Sequence, residues 1–308
     1  MNAEYKWLVN VPVATLWTSH DSARLIDQQA VAAPADIEGW IKGLTYDKSL
    51  ALCDMNLVQS QLLFGEEVIV IEEKGDWVHV LVPSQASSKD ERGYPGWLPK
   101  KQLGKRSDWA IDQGSIAVIR AKKTVLSLSD DEELLLSYLT VLPVMLEDGE
   151  NVVVQTPEGK GTLLKIDVSI HPSLNDIPKG DGAGIVTAGE QFLHLPYLWG
   201  GMSSFGYDCS GLSYAVCKAN GYIIPRDAHD QAEAGDEVSL TNLQPGDLLF
   251  FAYEEGKGSL HHVGIYYGDG QLLHSPNTGK TIEIIDLKGT VYEKELCAAR
   301  RYWQKAGE

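Results

Sequence analysis

The chain is 308 residues long, 44% of them apolar, with 43 acidic against 26 basic side chains and a formal net charge of -17. That length accommodates two or three domains of about 100 to 200 residues each, with ample material for buried cores. An acidic chain without a basic run does not suit a phosphate backbone, so no nucleic-acid partner is expected, and the excess negative charge serves solubility. The N-terminus MNAEYKWLVNVPVATLW interrupts its apolar stretch with Glu4, Lys6, Asn10 and Pro12 and reads poorly as a signal peptide. AVAAPA at 30–35 resembles a cleavage site, but no apolar stretch precedes it. No run approaches the roughly 18 apolar residues of a membrane helix, so no membrane partner is expected. Four cysteines, at 53, 209, 217 and 297, form neither a CxxC pair nor a zinc-finger spacing. They suit a thiol-reducing, cytoplasmic setting better than a disulfide framework.

In chain order, two segments of the N-terminal half share one pattern. GEEVIVIEEKGDWVHVLVP (65–83) alternates apolar and polar residues around a Lys-Gly-Asp turn, then reaches GYPGWLPKKQL (93–103) after a polar excursion. LPVMLEDGENVVVQTP (142–157) repeats the hairpin around Asp-Gly and continues into GKGTLLK (159–165). Gly75 and Gly149, Val78 and Val152, Val80 and Val154, and Pro83 and Pro157 correspond at an offset of 74, so one small β unit is used twice. Between Leu25 and Leu63 the first copy carries an insertion whose DIEGWIKGL and SLALCDMNLVQSQLL stretches have helical spacing. Short strands, tight turns and a Gly-x-Leu closing strand resemble the bacterial SH3-like barrel, which accompanies catalytic domains in many cell-wall proteins. An insertion of this kind could form a wall of a neighbouring site.

HPSLNDIPKGDG (171–182) is rich in Pro, Gly and Asp and marks a linker. Beyond it GIVTAGEQFLHL predicts a helix and SGLSYAVCKANG a second helix closed by Gly221. LLFFA, HHVGIYYG and QLLHS predict strands, and helices followed by a run of strands imply an α+β domain. The expected boundaries are 1–106 for the first β module with its insertion, 107–170 for the second and 171–308 for the α+β domain.

Cys209 falls at the start of the second of these helices. There the unpaired N–H groups and the helix dipole favour a thiolate, whereas Cys217, two turns along nearly the same face, reads as packing. A lone cysteine is more often a small core hydrophobe, so its company decides. His262 and His274 lie 12 apart, nearly symmetric about the Gly268–Gly270 turn, which makes them diagonal neighbours on one sheet face. His261 then points to the opposite face. His262 can take the proton from Cys209 while His274 holds the other ring nitrogen and fixes the tautomer. The same three side chains are a conceivable zinc set, but their spacing favours covalent catalysis, and no metal site is expected. His229 with Asp227 and Asp230 looks ligand-like, yet a solvated helix face is the expectation. His20, His79, His171 and His194 show no partners in the sequence.

The order DCSG, HHVGIY and LLHS, with PYLWGG before the cysteine and LQPGDLLFF before the first histidine, resembles the NlpC/p60 family of papain-like cysteine peptidases. That family cuts bonds within the stem peptides of bacterial peptidoglycan, and the match runs over roughly residues 183–305. The implied fold is multidomain, two small all-β SH3-like barrels followed by an α+β papain-like catalytic domain. The resemblance makes Cys209 the nucleophile, His262 the base and His274 the third polar residue. Tyr197 then lies near the oxyanion, with the Cys209 N–H as another donor, and Trp199 of the same PYLWGG stretch becomes a substrate contact.

PRDAHDQ, with the motif serine, resembles the subset that recognises a free amino terminus on L-Ala, in which Asp227 and Ser210 would hold the ammonium. That subset also carries two SH3-like modules, the first of which helps close the substrate cleft. The whole chain therefore resembles γ-D-glutamyl-L-diamino-acid endopeptidases, which recycle murein peptides such as L-Ala-γ-D-Glu-diamino acid. GYPGW makes Tyr94 a further contact with the amine, whereas the sequence alone makes Tyr94 and Trp97 core aromatics. No cofactor is implied. Two other classes stay open, a peptidoglycan-binding protein with vestigial catalysis and a papain-like amidase or acyltransferase acting on another substrate.

Overall fold

The computed structural model describes residues 5–128 and 132–304; residues 1–4, among them Glu4, and 129–131 and 305–308 lie outside the described residues. The first β module contains β1 (Lys6–Val9), β2 (Val13–Trp17), β3 (Val58–Leu63), β4 (Glu67–Lys74), β5 (Trp77–Val82), β6 (Tyr94–Pro99) and β7 (Leu103–Arg106). The second contains β8 (Ile116–Ile119), β9 (Lys123–Leu128), β10 (Glu133–Ser137), β11 (Val141–Asp148), β12 (Asn151–Thr156), β13 (Gly159–Leu164) and β14 (Val168–His171). Their strand orders are β3-β2-β6-β5-β4-β1-β7 and β10-β9-β13-β12-β11-β8-β14, the same path with every index raised by seven.

The repeat extends to irregularities that the residue pattern does not show. The register of the β4–β5 hairpin shifts between Val70 and Glu72, and that of β11–β12 between Val144 and Leu146, again at an offset of 74. Gly75 and Gly149 both take φ of 59°, a left-handed conformation that glycine adopts without a Cβ clash. The Gly-x-Leu strand has a packing cause. A Cβ on Gly96 would lie 2.5 Å from Leu16 Cγ, and one on Gly161 2.7 Å from Leu126 Cδ1, so each closing strand rests directly on a leucine of β2 or β9. Alternate side chains such as Val152, Val154, Leu126 and Leu163 fill the second module's core.

The insertion holds three short helices, α1 (Gln28–Val31), α2 (Ile37–Gly43) and α3 (Tyr46–Asp54). Asp36 caps α2 by accepting from the Gly39 N–H at 2.8 Å. Trp40 is buried with its indole N–H donating at 2.9 Å to the buried Asp27, whose carboxylate Arg24 also holds. Helical spacing in SLALCDMNLVQSQLL overreaches here. The helix stops at Asp54, Asn56 turns the chain at φ 50°, and Val58–Leu63 pairs with β2 as a strand. Strand pairing overrides the local periodicity.

The chain divides into two compact units. One comprises residues 1–84, 92–177 and 202–205 and holds both β modules; the other comprises 85–91, 178–201 and 206–308. Between the linker and the second unit's long helix lie two two-residue strands, β15 (Met202–Ser203) and β16 (Gly206–Tyr207).

The second unit contains α4 (Gly182–Glu190), α5 (Cys209–Ala219) and α6 (Ala228–Glu233). Its sheet comprises β17 (Asp236–Glu237), β18 (Leu248–Ala252), β19 (Leu260–Gly268), β20 (Gln271–His274), β21 (Glu283–Asp286) and β22 (Leu296–Arg301). The order is β17-β22-β18-β19-β20-β21, antiparallel at each recorded pairing. Asp181 caps α4 by accepting from the Gly184 N–H, and Gly221 at φ 75° follows the end of α5 in the left-handed position that closes helices. Residues 85–91, the polar excursion between β5 and β6, fold within this unit. Their Ala86 C=O accepts from the Arg226 N–H at 3.0 Å, and their Ser88 N–H donates to Asp230 at 2.9 Å. Asp230 is therefore buried, contrary to the solvated face expected of PRDAHDQ, because that face meets this loop; His229 is exposed and pairs with Glu233.

Candidate active site

Cys209 is the first residue of α5, and the residue before it, Asp208, is the helix cap. The Asp208 carboxylate accepts from the Gly211 N–H at 2.6 Å, the Gly200 N–H at 2.9 Å and the Ser210 hydroxyl at 3.3 Å. Arg226, only 1% exposed, donates one nitrogen to Asp208 and another to the Ser210 oxygen, each at 2.7 Å. Gln231 donates to the Ser210 carbonyl at 3.1 Å and closes the network behind Cys209. Asp208 announces itself in the sequence as a capping residue ahead of an apolar helix. Arg226 gives no such signal, since its partner lies 18 residues away.

Cys209 keeps partial solvent exposure, yet the burial of its sulfur pushes the thiol up to about 12, with the Asp208 charge adding to the rise. The Val263 N–H, the Arg226 guanidinium and the Ser210 N–H act in the opposite direction. At this helix start the cost of desolvating the anion therefore opposes the help of dipole and donors that helix position alone suggests. His262 is held well below its usual range by burial first, then by His274 and His261. Burial thus works against both charged forms, the Cys209 thiolate and the His262 imidazolium.

The two histidines meet through strand register. β19 and β20 pair Ile265 with Leu273 and Tyr266 with Leu272, and Gly268 opposes Gln271 across an Asp269-Gly270 turn with both φ angles positive, 49° and 76°. His262 and His274 are diagonal on one face, with His262 Nε2 2.9 Å from His274 Nδ1. That contact engages His262 through Nε2 and not through Nδ1. Gly264 makes room: a Cβ there would lie 2.6 Å from Leu272 Cδ1 and 3.0 Å from His274 Cβ. His274 is fully buried, and desolvation, then Lys280, lowers it to about 3.

Tyr292, which the sequence does not single out, packs its ring 5.2 Å from His262 and 5.0 Å from His274, and burial first raises its own phenol to about 12. His261 faces away from the relay, 3.1 Å from Glu295 and stacked on Tyr253.

The remaining candidates are distributed as follows. Tyr197 is buried in the same unit as Cys209, its N–H donating to the Lys280 carbonyl, and Trp199 is half-buried two residues on. Ser210 belongs to the Asp208–Arg226 network. Asp227, the residue before α6, pairs at 2.9 Å with Lys89 of the 85–91 loop. Tyr94 belongs to the first unit, where it is 1% exposed in β6 with its hydroxyl 3.4 Å from Gln59 Oε1. Trp97 lies between His20 and His79, with ring centres 5.3 and 5.0 Å away, which gives those two histidines the partners the sequence withholds. His171 bonds to Ser169, and His194 sits at a positive φ of 70°. Among the described residues no group of three or more His, Cys, Asp or Glu side chains is arranged to hold a metal ion.

A cysteine at a helix start, in one unit with a paired histidine relay on an antiparallel sheet, is the architecture of a papain-like thiol hydrolase. The sequence pattern of the NlpC/P60 family matches residues 194–301, that of the YKFC SH3b2 domain matches 119–171, and that of the bacterial dipeptidyl-peptidase Sh3 domain matches 56–103. The chain is 49% identical over 289 residues to the gamma-D-glutamyl-L-lysine dipeptidyl-peptidase of Bacillus subtilis (strain 168), covering 94% of this chain and 96% of that protein. To the protein of the same name from Bacillus cereus (strain ATCC 10987 / NRS 248) it is 42% identical over 302 residues, 96% of this chain and 91% of that one. The crystal structure of an NlpC/P60 family protein from Bacillus cereus ATCC 10987 superposes with a TM-score of 0.95 at 41% identity, over 97% of this chain and 100% of that one. The chain belongs to the NlpC/P60 family of cysteine peptidases, with two SH3-type modules ahead of the peptidase domain.

Proposed function

We propose that the protein is a cysteine endopeptidase that hydrolyses the bond between γ-D-Glu and the diamino acid in short murein-derived peptides with a free N-terminal L-Ala, releasing L-Ala-γ-D-Glu. The observation that carries this is the relay itself, in which the 2.9 Å contact between His262 Nε2 and His274 Nδ1 leaves His262 Nδ1 for the thiol. The names of the relatives point to the γ-D-glutamyl bond.

In this mechanism Cys209 Sγ attacks the γ-carbonyl carbon and its proton passes to His262 Nδ1. Burial disfavours either charge alone, so thiolate and imidazolium form together, as an ion pair, as the carbon–sulfur bond develops. The Cys209 N–H at the helix start and Tyr197 stabilise the oxyanion. His262 returns the proton to the leaving amine, the carbon–nitrogen bond breaks, and a thioester remains. Water, deprotonated by His262, then releases the dipeptide and restores the thiol.

Selectivity rests on the substrate's ammonium. Asp227 already accepts an ammonium, that of Lys89, in a partly exposed pair at 2.9 Å. The Ser210 oxygen donates once and accepts once in the buried network, which leaves it one lone pair for an amine. Acetylation of L-Ala removes the charge and adds bulk at this point. Free-amine L-Ala-γ-D-Glu-L-Lys and its meso-diaminopimelate counterpart are therefore cleaved, and the N-acetylated peptide is a poor substrate, with products read by mass spectrometry. Equal rates on free and acetylated peptides would remove the amine from the account. Retention of the enzyme on purified peptidoglycan without cleavage of any peptide would favour the binding-protein reading.

A further inference from the structure

We propose that Glu283 is a positioning residue that extends the Cys209, His262 and His274 line, accepting from the His274 Nε2–H and steadying the histidine pair as it takes up the thiol proton. The proposal rests on the roles given above to those three residues. Sheet topology brings the line together: His262 lies on β19, His274 on β20 and Glu283 on β21, three adjacent strands. His274 and Glu283 are directly paired in the β20–β21 register, so their side chains share a face.

The proton positions follow from the contacts. For His262 Nδ1 to accept from Cys209, the proton of neutral His262 must sit on Nε2, where it donates to His274 Nδ1. His274 accepts at Nδ1 and so carries its own proton on Nε2. That nitrogen is fully buried and finds no hydrogen-bond partner among the described residues. The group in reach is Glu283 Oε1, at 3.7 Å, on a carboxylate that is 39% exposed and can turn inward. Hydrogen bonds of this kind tighten when the reacting complex forms.

Charge points the same way. When the thiol proton reaches His262, the positive charge faces His274, and behind it the Glu283 carboxylate. Lys280 opposes that charge at His274, and His261 opposes it at His262 while itself pairing with Glu295. Tyr292 covers both rings with its phenol, whose raised pKa keeps it neutral. Glu283 is thus the anion in direct register with the pair. No bond to Glu283 forms or breaks; the proton leaves Cys209 Sγ for His262 Nδ1, and the carboxylate only holds the His274 end.

The test uses the full chain with Glu283→Gln, Glu283→Asp and Glu283→Ala. Two readouts are followed, cleavage of L-Ala-γ-D-Glu-L-Lys and the pH dependence of Cys209 alkylation by iodoacetamide, which needs no substrate. Glu283→Gln should lower kcat about tenfold with KM nearly unchanged, a modest share of a general-base effect because the carboxylate is partly solvated. Removing the anion destabilises the imidazolium, so the limb of the kcat/KM profile that reports the histidine pair moves to lower pH, and alkylation at neutral pH slows. Glu283→Asp should restore part of both. Melting temperatures within a degree or two of the wild type would exclude an effect through unfolding. Wild-type kcat, pH profile and alkylation in both Gln and Ala variants would overturn the proposal. Failure of the functional reading looks different: an inert wild type, or an active Cys209→Ala variant, while the alkylation profile still reports on Glu283.

Discussion

Replacing Arg226 by Met tests the network behind Cys209. The Arg226 and Asp208 side chains are 1% and 8% exposed and lie 2.7 Å apart, so the substitution strands a carboxylate in low dielectric. Breaking a buried pair from one side costs about 3 to 5 kcal/mol. Asp208 keeps three neutral donors, the Gly200 and Gly211 N–H groups and the Ser210 hydroxyl, which sets the expectation near the lower end, about 3 kcal/mol. For a unit of this size that lowers Tm by about 10 °C.

The same change removes a cation that pulls the Cys209 thiol down and leaves Asp208, which pushes it up, so alkylation of Cys209 at neutral pH should also slow. The Asp208→Asn, Arg226→Met double variant leaves no charge in this network and should recover a large part of the lost stability, a coupling that calorimetry on the four proteins measures directly. An Arg226→Met protein within about 1 kcal/mol of the wild type, or a double variant whose losses simply add, would refute the reasoning.

Gly264→Ala should lower kcat at least about tenfold, because a Cβ 2.6 Å from Leu272 Cδ1 and 3.0 Å from His274 Cβ forces β20, and with it the relay, out of place. Steady-state kinetics at wild-type kcat would contradict this. Acid should weaken the catalytic unit through its histidines. His274 falls from 6.5 to about 3 on folding and His262 also falls, so below pH 6.5 the unfolded chain binds more protons than the folded one. Their stabilising contribution is present above pH 6.5 and is lost as pH drops toward 3, at up to about 1.4 kcal/mol per pH unit for each group. Denaturant midpoints of wild type and His274→Asn across that range should converge as pH falls; parallel curves would sink the argument.

The parts legible in the sequence were those governed by local period and short turns. A side-chain period of two across a three-residue Gly-Asp-Gly loop places His262 and His274 on one face, and the structure keeps that face by a two-residue turn plus a register shift between Tyr266 and Gly268; an offset of 74 exposes the duplicated module. What escaped was set by tertiary partners. VQSQLL reads as helix until β2 supplies its strand partner. The direction of the Cys209 shift depends on burial, which helix position does not reveal. Asp230 looks like solvated helix surface until residues 85–91 cover it. Glu283 reaches His274 only through a register that follows a loop with no pairing signal.

The most direct test of the central claim is intact-protein mass spectrometry after rapid acid quench of enzyme mixed with L-Ala-γ-D-Glu-L-Lys. The account predicts a transient adduct equal to the L-Ala-γ-D-Glu acyl group, mapped to Cys209, absent from Cys209→Ala and not formed from the N-acetylated peptide. Release of the dipeptide at full rate by Cys209→Ala would contradict it.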